Sequence, residues 1–284
     1  MKKTSIILFH KGILPSYIRT CIEQLHLTQT KCDIYLLTDI NITSSTFHVI
    51  NINDYPCPWI DDLNFYKNHE DPLWRTSFER FFYINAFILM NKINNVVHFD
   101  SDVMLYKDIN DIKELLSNNI KEIGITPHKE NELVCGFMYI KNSDSLEILC
   151  KELYHVVKVG EEVLEKQFNQ MPHEMRLLGY VDKKLRKEKY ITRLPVSPYE
   201  PGNNLFKEFK GVFDPSTYGQ YFGNNNQVHE NDINRLADRY IGKKVYPTFG
   251  SDNKPLLKLS DGSTIPIFNL HIHNKKLHEY FSFR

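Results

Sequence analysis

Residues Asn94–Tyr106, NNVVHFDSDVMLY, decide how the rest of the chain is interpreted. Val96–Phe99 predict a short apolar strand, which runs directly into Asp100 and Asp102 with a single serine between them. Ionised carboxylates at the end of a buried strand are costly unless hydrogen-bond donors or a cation satisfy them. Two aspartates at this spacing are also common in turns and helix caps, so it is their position after the strand that indicates a cation.

The composition excludes several classes of protein. Lys plus Arg and Asp plus Glu number 35 each in 284 residues, so no overall charge would attract nucleic acid or an anionic membrane. The first apolar run is too short for a signal-peptide core, and no run approaches the roughly 18 residues of a membrane helix. The five cysteines never form a Cys-x-x-Cys pair, which indicates reduced thiols rather than structural zinc. We expect a soluble, cytoplasmic protein with no nucleic-acid partner and no transmembrane segment; its oligomeric state stays open.

Strands and helices alternate along the first part of the chain. The apolar runs Ser5–Phe9, Asp33–Leu37 and Phe47–Ile52 predict strands, and Ser77–Met90 predicts a largely buried helix. Each of these strands ends in polar residues, at the edge where open α/β sheets bind their ligands. From Pro195 onward the pattern weakens and turn residues become frequent. We therefore expect an α/β fold with a mostly parallel, Rossmann-like sheet flanked by helices and a C-terminal, loop-rich cap.

A late apolar run, Ile265–Ile272, predicts the last strand, which contains His271, and we expect the extended segment to continue through His273. Alternate residues of an extended segment face the same way, so the two aspartates can converge on one point, and so can the two histidines. Carboxylate oxygens favour a hard cation such as Mg²⁺ or Mn²⁺, and an imidazole ligand favours manganese. The alternative for either histidine is a hydrogen-bonded position in the core or on the surface.

The stretch VVHFDSDVMLY resembles the strand and Asp-x-Asp motif of GT-A fold glycosyltransferases, which bind the diphosphate of a nucleotide sugar through a divalent ion. Other segments resemble parts of the same fold, in the order that the fold requires, and together they span nearly the whole chain. These segments are SIILFHKG, SFERFFYINAFILM, GFMYIKN, HEMRLLGY, FDPSTYGQYFGN and NLHIHNKKL. The last two are similar to a Gly-Gln loop of bacterial and viral members and to their C-terminal histidine and lysine.

The resemblance implies a single GT-A domain over residues 1–284, with a nucleotide-binding half in 1–106. Residues 107–284 would then form the acceptor-side half, which ends in the metal- and diphosphate-binding segment. The implied activity is the metal-dependent transfer of a hexose or similar sugar from a nucleoside-diphosphate sugar, with UDP favoured. A glycan or another hydroxyl compound is the implied acceptor, and Mn²⁺ or Mg²⁺ is the implied cofactor.

The resemblance also assigns roles to individual residues. The metal ligands are Asp100, Asp102, His271 and His273. The contacts to the nucleotide and the donor sugar are His10, Lys11, Thr38, Asp39, Arg80, Asp100, Ser101, Gly136, Gln220 and Lys275. Lys276 is the alternative to Lys275, because the segment HIHNKK allows two alignments. Arg80 could instead form an ion pair with Glu79 or Asp71, and the first four contacts could be solvated loop residues.

An inverting transfer needs a base that takes the proton of the acceptor hydroxyl, and a carboxylate is the usual group. The resemblance makes Glu174 the first candidate and Asp214 the second. The alternative for Glu174 is a helix-start carboxylate stabilised by the helix dipole, and a retaining enzyme would use the same residues differently. One aromatic cluster could offer ring faces to an acceptor sugar, but we expect core packing for its members, Tyr55, Trp59, Phe65, Tyr66 and Trp74.

Two other functions fit parts of the pattern. A sugar nucleotidyltransferase also binds metal through carboxylates, but it should carry a Gly- and basic-rich loop after the first strand. His10, Lys11 and Gly12 are a poor version of such a loop. The non-enzymatic alternative is a catalytically inactive sugar-binding protein of the same fold. Retention of both aspartates, a C-terminal histidine and Glu174 counts against it.

Overall fold

The computed structural model describes residues 3–63, 72–185, 188–202, 204–222 and 235–282. Over these residues the chain is a mixed α/β structure built on one seven-stranded sheet and two smaller ones. The strands are β1 (Thr4–His10), β2 (Cys32–Thr38), β3 (His48–Asn51), β4 (Val96–His98), β5 (Val103–Leu105), β6 (Ile123–Lys129), β7 (Glu132–Ile140), β8 (Ile191–Arg193), β9 (Val245–Phe249), β10 (Pro255–Leu259), β11 (Thr264–Pro266) and β12 (Asn269–His271).

The large sheet has the strand order β3-β2-β1-β4-β7-β6-β8. The pairs β3–β2, β2–β1, β1–β4 and β6–β8 are parallel, whereas β7 runs antiparallel to both β4 and β6. The prediction of a mostly parallel sheet flanked by helices is therefore confirmed. Strands from both predicted halves share this sheet, and the division near residue 106 stays a prediction.

The two faces of the sheet are covered by different helices. The helices are α1 (Ser16–Thr28), α2 (Pro58–Asp61), α3 (Pro72–Met90), α4 (Ile109–Asn119), α5 (Ser143–Val157), α6 (Glu161–Phe168), α7 (Glu174–Leu185), α8 (Leu205–Phe209) and α9 (Tyr218–Phe222). Successive residues of β1 point to opposite faces, so Ile6 lies in the core shared with α1 and α4, and Ile7 in the core shared with α3, α5 and α7. Because both faces are covered, the strands are apolar along most of their length.

Two boundaries differ from the sequence-based expectation. The helix expected from Ser77 is described from Pro72, which is consistent with the preference of proline for the first turn of a helix. The single late strand expected over Ile265–Ile272 is wrong, because the segment forms β11 and β12 with a break between them. Ile267 N still donates to Pro255 O, at the start of β10, at 3.0 Å, but Phe268 N donates to Val212 O at 2.8 Å, so the chain leaves β10 between the two strands.

The pairing of β12 with β5 brings the late segment of the chain to the aspartate motif. This antiparallel pair places His271 opposite Val103, directly after the second aspartate. The other small sheet, β9-β10-β11, belongs to the loop-rich C-terminal region. Among the helices that the structure describes, none combines the length and the apolar character needed to cross a lipid bilayer.

Candidate active site

A cavity of about 770 Å³ opens at the carboxyl ends of β1 and β4. Its walls come from the loop after β1, the first turns of α3, the turn between β4 and β5, the start of α7 and the segment after β12. This is the edge of the sheet at which the strand order and the polar strand ends predicted a ligand site. The cavity therefore draws together residues from both the early and the late parts of the chain.

The aspartates and one histidine form a candidate metal group in this cavity. One ligand atom each from Asp100, Asp102 and His271 lies within 4.8 Å of the other two. His271 Nε2 is 3.1 Å from Asp102 Oδ1 and 3.9 Å from Asp100 Oδ2. A tight turn fixes the aspartates, since Val103 N donates to Asp100 O at 3.0 Å, and Ile272 N donates to Asp102 O at 2.9 Å. Two carboxylates and one imidazole are a suitable donor set for Mn²⁺ or Mg²⁺.

Cations of the protein neutralise both aspartates in this arrangement. Arg80 forms an ion pair with Asp100, and Lys275 forms one with Asp102. Burial alone would raise the pKa of the Asp102 carboxyl, but His271 and Lys275 outweigh burial and hold this pKa well below its usual range. The Asp102 side chain therefore stays ionised, as a metal ligand must be.

His273 does not join the metal group. Its Nε2 lies 2.7 Å from Ser216 Oγ, and its ring stacks on the His271 ring with centroids 4.5 Å apart. The alternation expected of an extended segment fails because β12 ends at His271 and the chain turns, with Lys275 N donating to Ile272 O at 3.0 Å. The structure thus brings His271, and not His273, to the two aspartates.

Arg80 connects the metal group to Glu174. Its guanidinium is buried and donates to Asp100 and, at 3.1 Å, to Glu174 Oε1. Glu174 is the first residue of α7, and burial raises the pKa of its carboxyl above the usual value although Arg80 opposes the shift. The alternative partner Glu79 instead accepts from Lys11 and Arg75. The other alternative, Asp71, lies outside the described residues.

The remaining nucleotide contacts proposed from the sequence divide into two sets. Four of them line the cavity together with Arg80 and Asp100: His10, Lys11, Ser101 and Lys275. Lys11 Nζ lies 2.8 Å from Glu79 Oε2, and His10 Nε2 lies 2.8 Å from Ile13 O. Asp39 accepts from Gly12 N at 2.7 Å, so it supports the loop after β1 from outside the lining. Thr38 is fully buried at the end of β2.

Gly136 and Asp214 lie behind the metal group rather than in the cavity wall. A Cβ at Gly136 would come within 2.8 Å of the Asp214 carbonyl oxygen, so the position requires glycine for close packing. The Asp214 carboxylate is fully buried and accepts hydrogen bonds from four backbone N–H groups, those of Thr217, Tyr218, Gly219 and His271. The Asp214 carboxylate thus holds the start of α9 and the end of β12, and its role as a base stays a prediction.

Gln220 is also committed within the protein. Its side-chain amide donates to Ser216 O at 2.8 Å, and its carbonyl accepts from Arg235 at 3.1 Å. Gln220 is buried and is absent from the described lining of the cavity. These contacts place the expected binder of sugar hydroxyls in a supporting position.

Several cavity residues were not singled out from the sequence. His98, in the motif strand, is buried, and its Nδ1 lies 2.8 Å from Ile7 O. Burial lowers the pKa of His98 to about 4, so the imidazole is neutral near pH 7. Tyr17 lies under Lys275, whose Nζ is 5.4 Å from the ring centroid. The signal for His98 was available, because a lone polar residue in an apolar strand end requires a partner.

The aromatic cluster splits into packed and cavity-lining members. Trp59 packs against Phe82 and Tyr154 with ring centroids 6.2 Å and 5.2 Å away, and Tyr55 packs edge-on to a helix α3 phenylalanine. Trp74 instead lines the cavity, with its ring 5.3 Å from the ring of His173. Phe65 and Tyr66 lie outside the described residues. Tyr55, Trp59 and Trp74 thus all pack against the same core cluster, and Trp74 in addition lines the cavity.

No protein-family model matches this sequence, and no curated protein matches it. Solved structures with a related chain path were found. The chain is similar to mouse xyloside xylosyltransferase 1, with a TM-score of 0.47, 11% identity, and coverage of 72% of this chain and 92% of that one. It is similar to the galactosyltransferase LgtC, solved with donor and acceptor sugar analogs, with a TM-score of 0.46, 10% identity, and coverage of 95% and 87%.

A third similar structure is the glycosyltransferase GlyE of Streptococcus pneumoniae TIGR4. The TM-score is 0.44 and the identity 15%, and the match covers 81% of this chain. It covers 50% of the GlyE chain, so the present chain spans half of that protein. Identities of this size relate the chains through their fold alone.

Proposed function

We propose that the protein is a metal-dependent glycosyltransferase that moves a sugar from a nucleoside-diphosphate sugar to a hydroxyl acceptor. One observation carries the proposal: a single cavity holds a hard-cation ligand group and a buried carboxylate, and one arginine bridges the two. Transfer from a diphosphate needs charge stabilisation at the leaving group and a base at the acceptor. The two ends of this cavity supply residues for both tasks.

Asp100, Asp102 and His271 are the residues that would hold the divalent cation. Bound there, Mn²⁺ or Mg²⁺ supplies Lewis-acid stabilisation of the charge that the leaving diphosphate gains. Lys275 contacts Asp102 with a side chain that is 46% exposed, so its ammonium can exchange this contact for a phosphate oxygen. Burial would lower the pKa of Lys275, but Asp102 outweighs it and raises that pKa, so the side chain is a cation at neutral pH.

Glu174 is the proposed base for the acceptor hydroxyl. Its carboxylate lines the cavity, and Arg80 holds one oxygen at 3.1 Å. A carboxyl whose pKa lies above the usual value accepts a proton more readily than an exposed one, because basicity rises with pKa. The Arg80 charge keeps the ionised form accessible at neutral pH.

The donor is proposed to be a UDP-sugar and the acceptor a glycan or a related hydroxyl compound. The support is the order of glycosyltransferase-like motifs along the sequence, together with the loop after β1 that lines the cavity. The competing nucleotidyltransferase needs several free donors for a triphosphate in this loop. The loop offers Lys11, which already pairs with Glu79.

Thermal unfolding with and without MnCl₂ tests the proposal on a panel of nucleotide sugars that includes UDP-glucose, UDP-galactose and UDP-N-acetylglucosamine, because a ligand that binds only the folded state raises the unfolding midpoint. We expect the midpoint of thermal unfolding to rise with one nucleotide sugar of the panel, and only when Mn²⁺ is present. The protein should also hydrolyse that nucleotide sugar slowly. In Asp102→Asn, turnover should fall by about a thousandfold or more, because the variant loses a charged metal ligand.

Asp111→Asn is the matched control, because that aspartate is exposed and pairs with Lys107 away from the cavity. Its turnover should equal that of the wild type. Unchanged turnover in Asp102→Asn would overturn the metal-dependent mechanism. Metal-dependent donor binding without any hydrolysis or transfer would favour the inactive sugar-binding alternative.

A further inference from the structure

Resting on the proposed function, we infer that the wall of the cavity around Trp74 binds the acceptor, and that the acceptor presents a sugar ring to the indole. Trp74 belongs to the first turn of α3 and is half-buried in the cavity lining. The chain contains two tryptophans, and the other one, Trp59, packs among aromatic rings. A large aromatic ring left at a cavity wall is available to a ligand.

A chain of contacts orders the groups along the cavity. Asp100 of the metal group bonds to Arg80, and Arg80 bonds to Glu174 at 3.1 Å. Glu174 follows His173, whose ring lies 5.3 Å from that of Trp74. Along this chain of contacts the candidate base comes between the metal group and the indole. A base must lie between the donor and the acceptor, so the far side, where Trp74 lies, is the acceptor side.

His173, the residue that contacts the Trp74 ring, is anchored by backbone hydrogen bonds directly before Glu174. The His173 carbonyl accepts from Arg176 N at 3.0 Å and from Leu177 N at 3.2 Å, which anchors His173 at the start of α7. The indole and this imidazole meet at an interplanar angle of 33°. Trp74 therefore contacts an anchored residue next to the candidate base, which is the support that a binding surface requires.

The chemistry of the wall fits a sugar better than a purely apolar or a purely charged ligand. Leu73, which is 60% exposed, and Met175 provide apolar surface beside the indole. Arg75 and Glu174 provide hydrogen-bonding groups in the same lining. A pyranose has one face of C–H bonds that packs on an aromatic ring and a rim of hydroxyls that needs polar partners. This combination identifies the acceptor class as a glycan with an accessible terminal sugar.

The test compares Trp74→Ala and Trp74→Phe with the wild type, using the nucleotide sugar that the Mn²⁺ screen identifies and a printed array of glycans as acceptors. Hydrolysis of the same donor by water serves as the internal reference. In Trp74→Ala we expect the acceptor KM to rise, and the ratio of transfer to hydrolysis to fall, by roughly tenfold. Trp74→Phe keeps a ring and should recover part of this loss.

Trp59→Phe is the matched control, since it changes the tryptophan outside the cavity and should leave the ratio of transfer to hydrolysis unaltered. It also leaves Trp74 as the sole tryptophan, so its fluorescence should change when the acceptor binds. An equal acceptor KM in Trp74→Ala and wild type would overturn the inference. Donor hydrolysis without transfer to any glycan would also overturn it while leaving the proposed function standing. Absence of donor hydrolysis would remove the proposed function and this inference together.

Discussion

The two ends of the cavity are built in opposite ways. At the metal end, Asp100 and Asp102 are each neutralised by a cation of the protein itself, Arg80 and Lys275. At the acceptor end, Trp74 and its apolar neighbours lie in the wall beside a single buried carboxylate. The carboxylates of the metal end are therefore already in place but paired with Arg80 and Lys275. A ligand that binds there must replace some of these existing contacts with its own. The acceptor end offers open surface, so selectivity there depends on shape and stacking.

The largest effect should come from breaking the link between the two ends. Arg80→Met leaves the buried Glu174 and the partly buried Asp100 without their shared cation, and removal of one partner from a buried ion pair costs about 3–5 kcal/mol of unfolding free energy. Denaturant titration measures this loss. Arg19→Met, at an exposed position of α1, is the control and should change stability by less than about 0.5 kcal/mol. Equal stability of the two variants would contradict the bridging role of Arg80.

A second substitution separates the chemistry of the two ends. Glu174→Gln removes the base but keeps its size, so kcat should fall by about 10²- to 10⁴-fold while Mn²⁺-dependent donor binding persists. Burial raises the pKa of Glu174 above 4.5, so the acid limb of the wild-type kcat profile should have its midpoint above that value. Glu122→Gln serves as the control, because that carboxylate accepts from Ser145 Oγ. Loss of donor binding in Glu174→Gln would place this residue at the metal end instead.

A third pair of variants tests which histidine belongs to the metal end. His271→Gln should weaken Mn²⁺ binding by on the order of a hundredfold, because the imidazole is one of the three ligand groups. His273→Gln should weaken it by less than about threefold, since His273 contacts Ser216. Calorimetric titration with MnCl₂ gives both affinities. The reverse ranking would show that the bound state uses a different turn after β12.

The smallest predicted effect is on the pH dependence of the free energy of unfolding. It comes from a histidine that lies outside both ends of the cavity. His128 Nδ1 lies 2.7 Å from Pro215 O, and burial lowers its pKa from 6.5 to about 4. Between pH 4 and pH 6.5 the imidazole binds a proton in the unfolded chain but not in the folded one. The contribution of His128 to the free energy of unfolding is therefore complete above pH 6.5 and falls as the pH decreases. The loss should be about 1 kcal/mol between pH 6.5 and 5.5. His128→Phe should lack this component in pH-dependent denaturation, and an unchanged slope would show that another group is responsible.

The sequence was sufficient for features that depend on local pattern. The apolar runs located the parallel strands because both faces of the sheet are covered. The aspartate motif was correctly placed at the end of its strand, since Asp100 lies two residues after the end of β4 at His98. The approach of His271 to this motif was expected only because the order of motifs resembled a known fold. No periodicity predicts a contact between β5 and β12.

The site assignments of Asp214 and His273 stay predictions, and at both positions backbone hydrogen bonds bear on the role of the side chain. Asp214 was a candidate base, yet the sequence Asp-Pro-Ser-Thr before a short helix is itself a capping pattern. Its carboxylate accepts from the N–H groups of that helix start. His273 was grouped with His271 by alternation, which ends where the strand ends. The bridge from Arg80 to both carboxylates is a tertiary contact without a local signal.

The pairing of β12 with β5 also sets an order of events during synthesis of the chain. Lys275 and Asp102 are 173 positions apart, whereas β1, β2, β3 and β4 can pair as soon as residue 98 has emerged. A nascent chain therefore has its parallel strands and both aspartates long before the histidine and lysine that complete the metal end. Until then the carboxylates lack Lys275, and the nucleotide sugar meets no finished pocket. Under the proposed function, the chain would therefore complete its metal and donor site only after residue 275 has emerged.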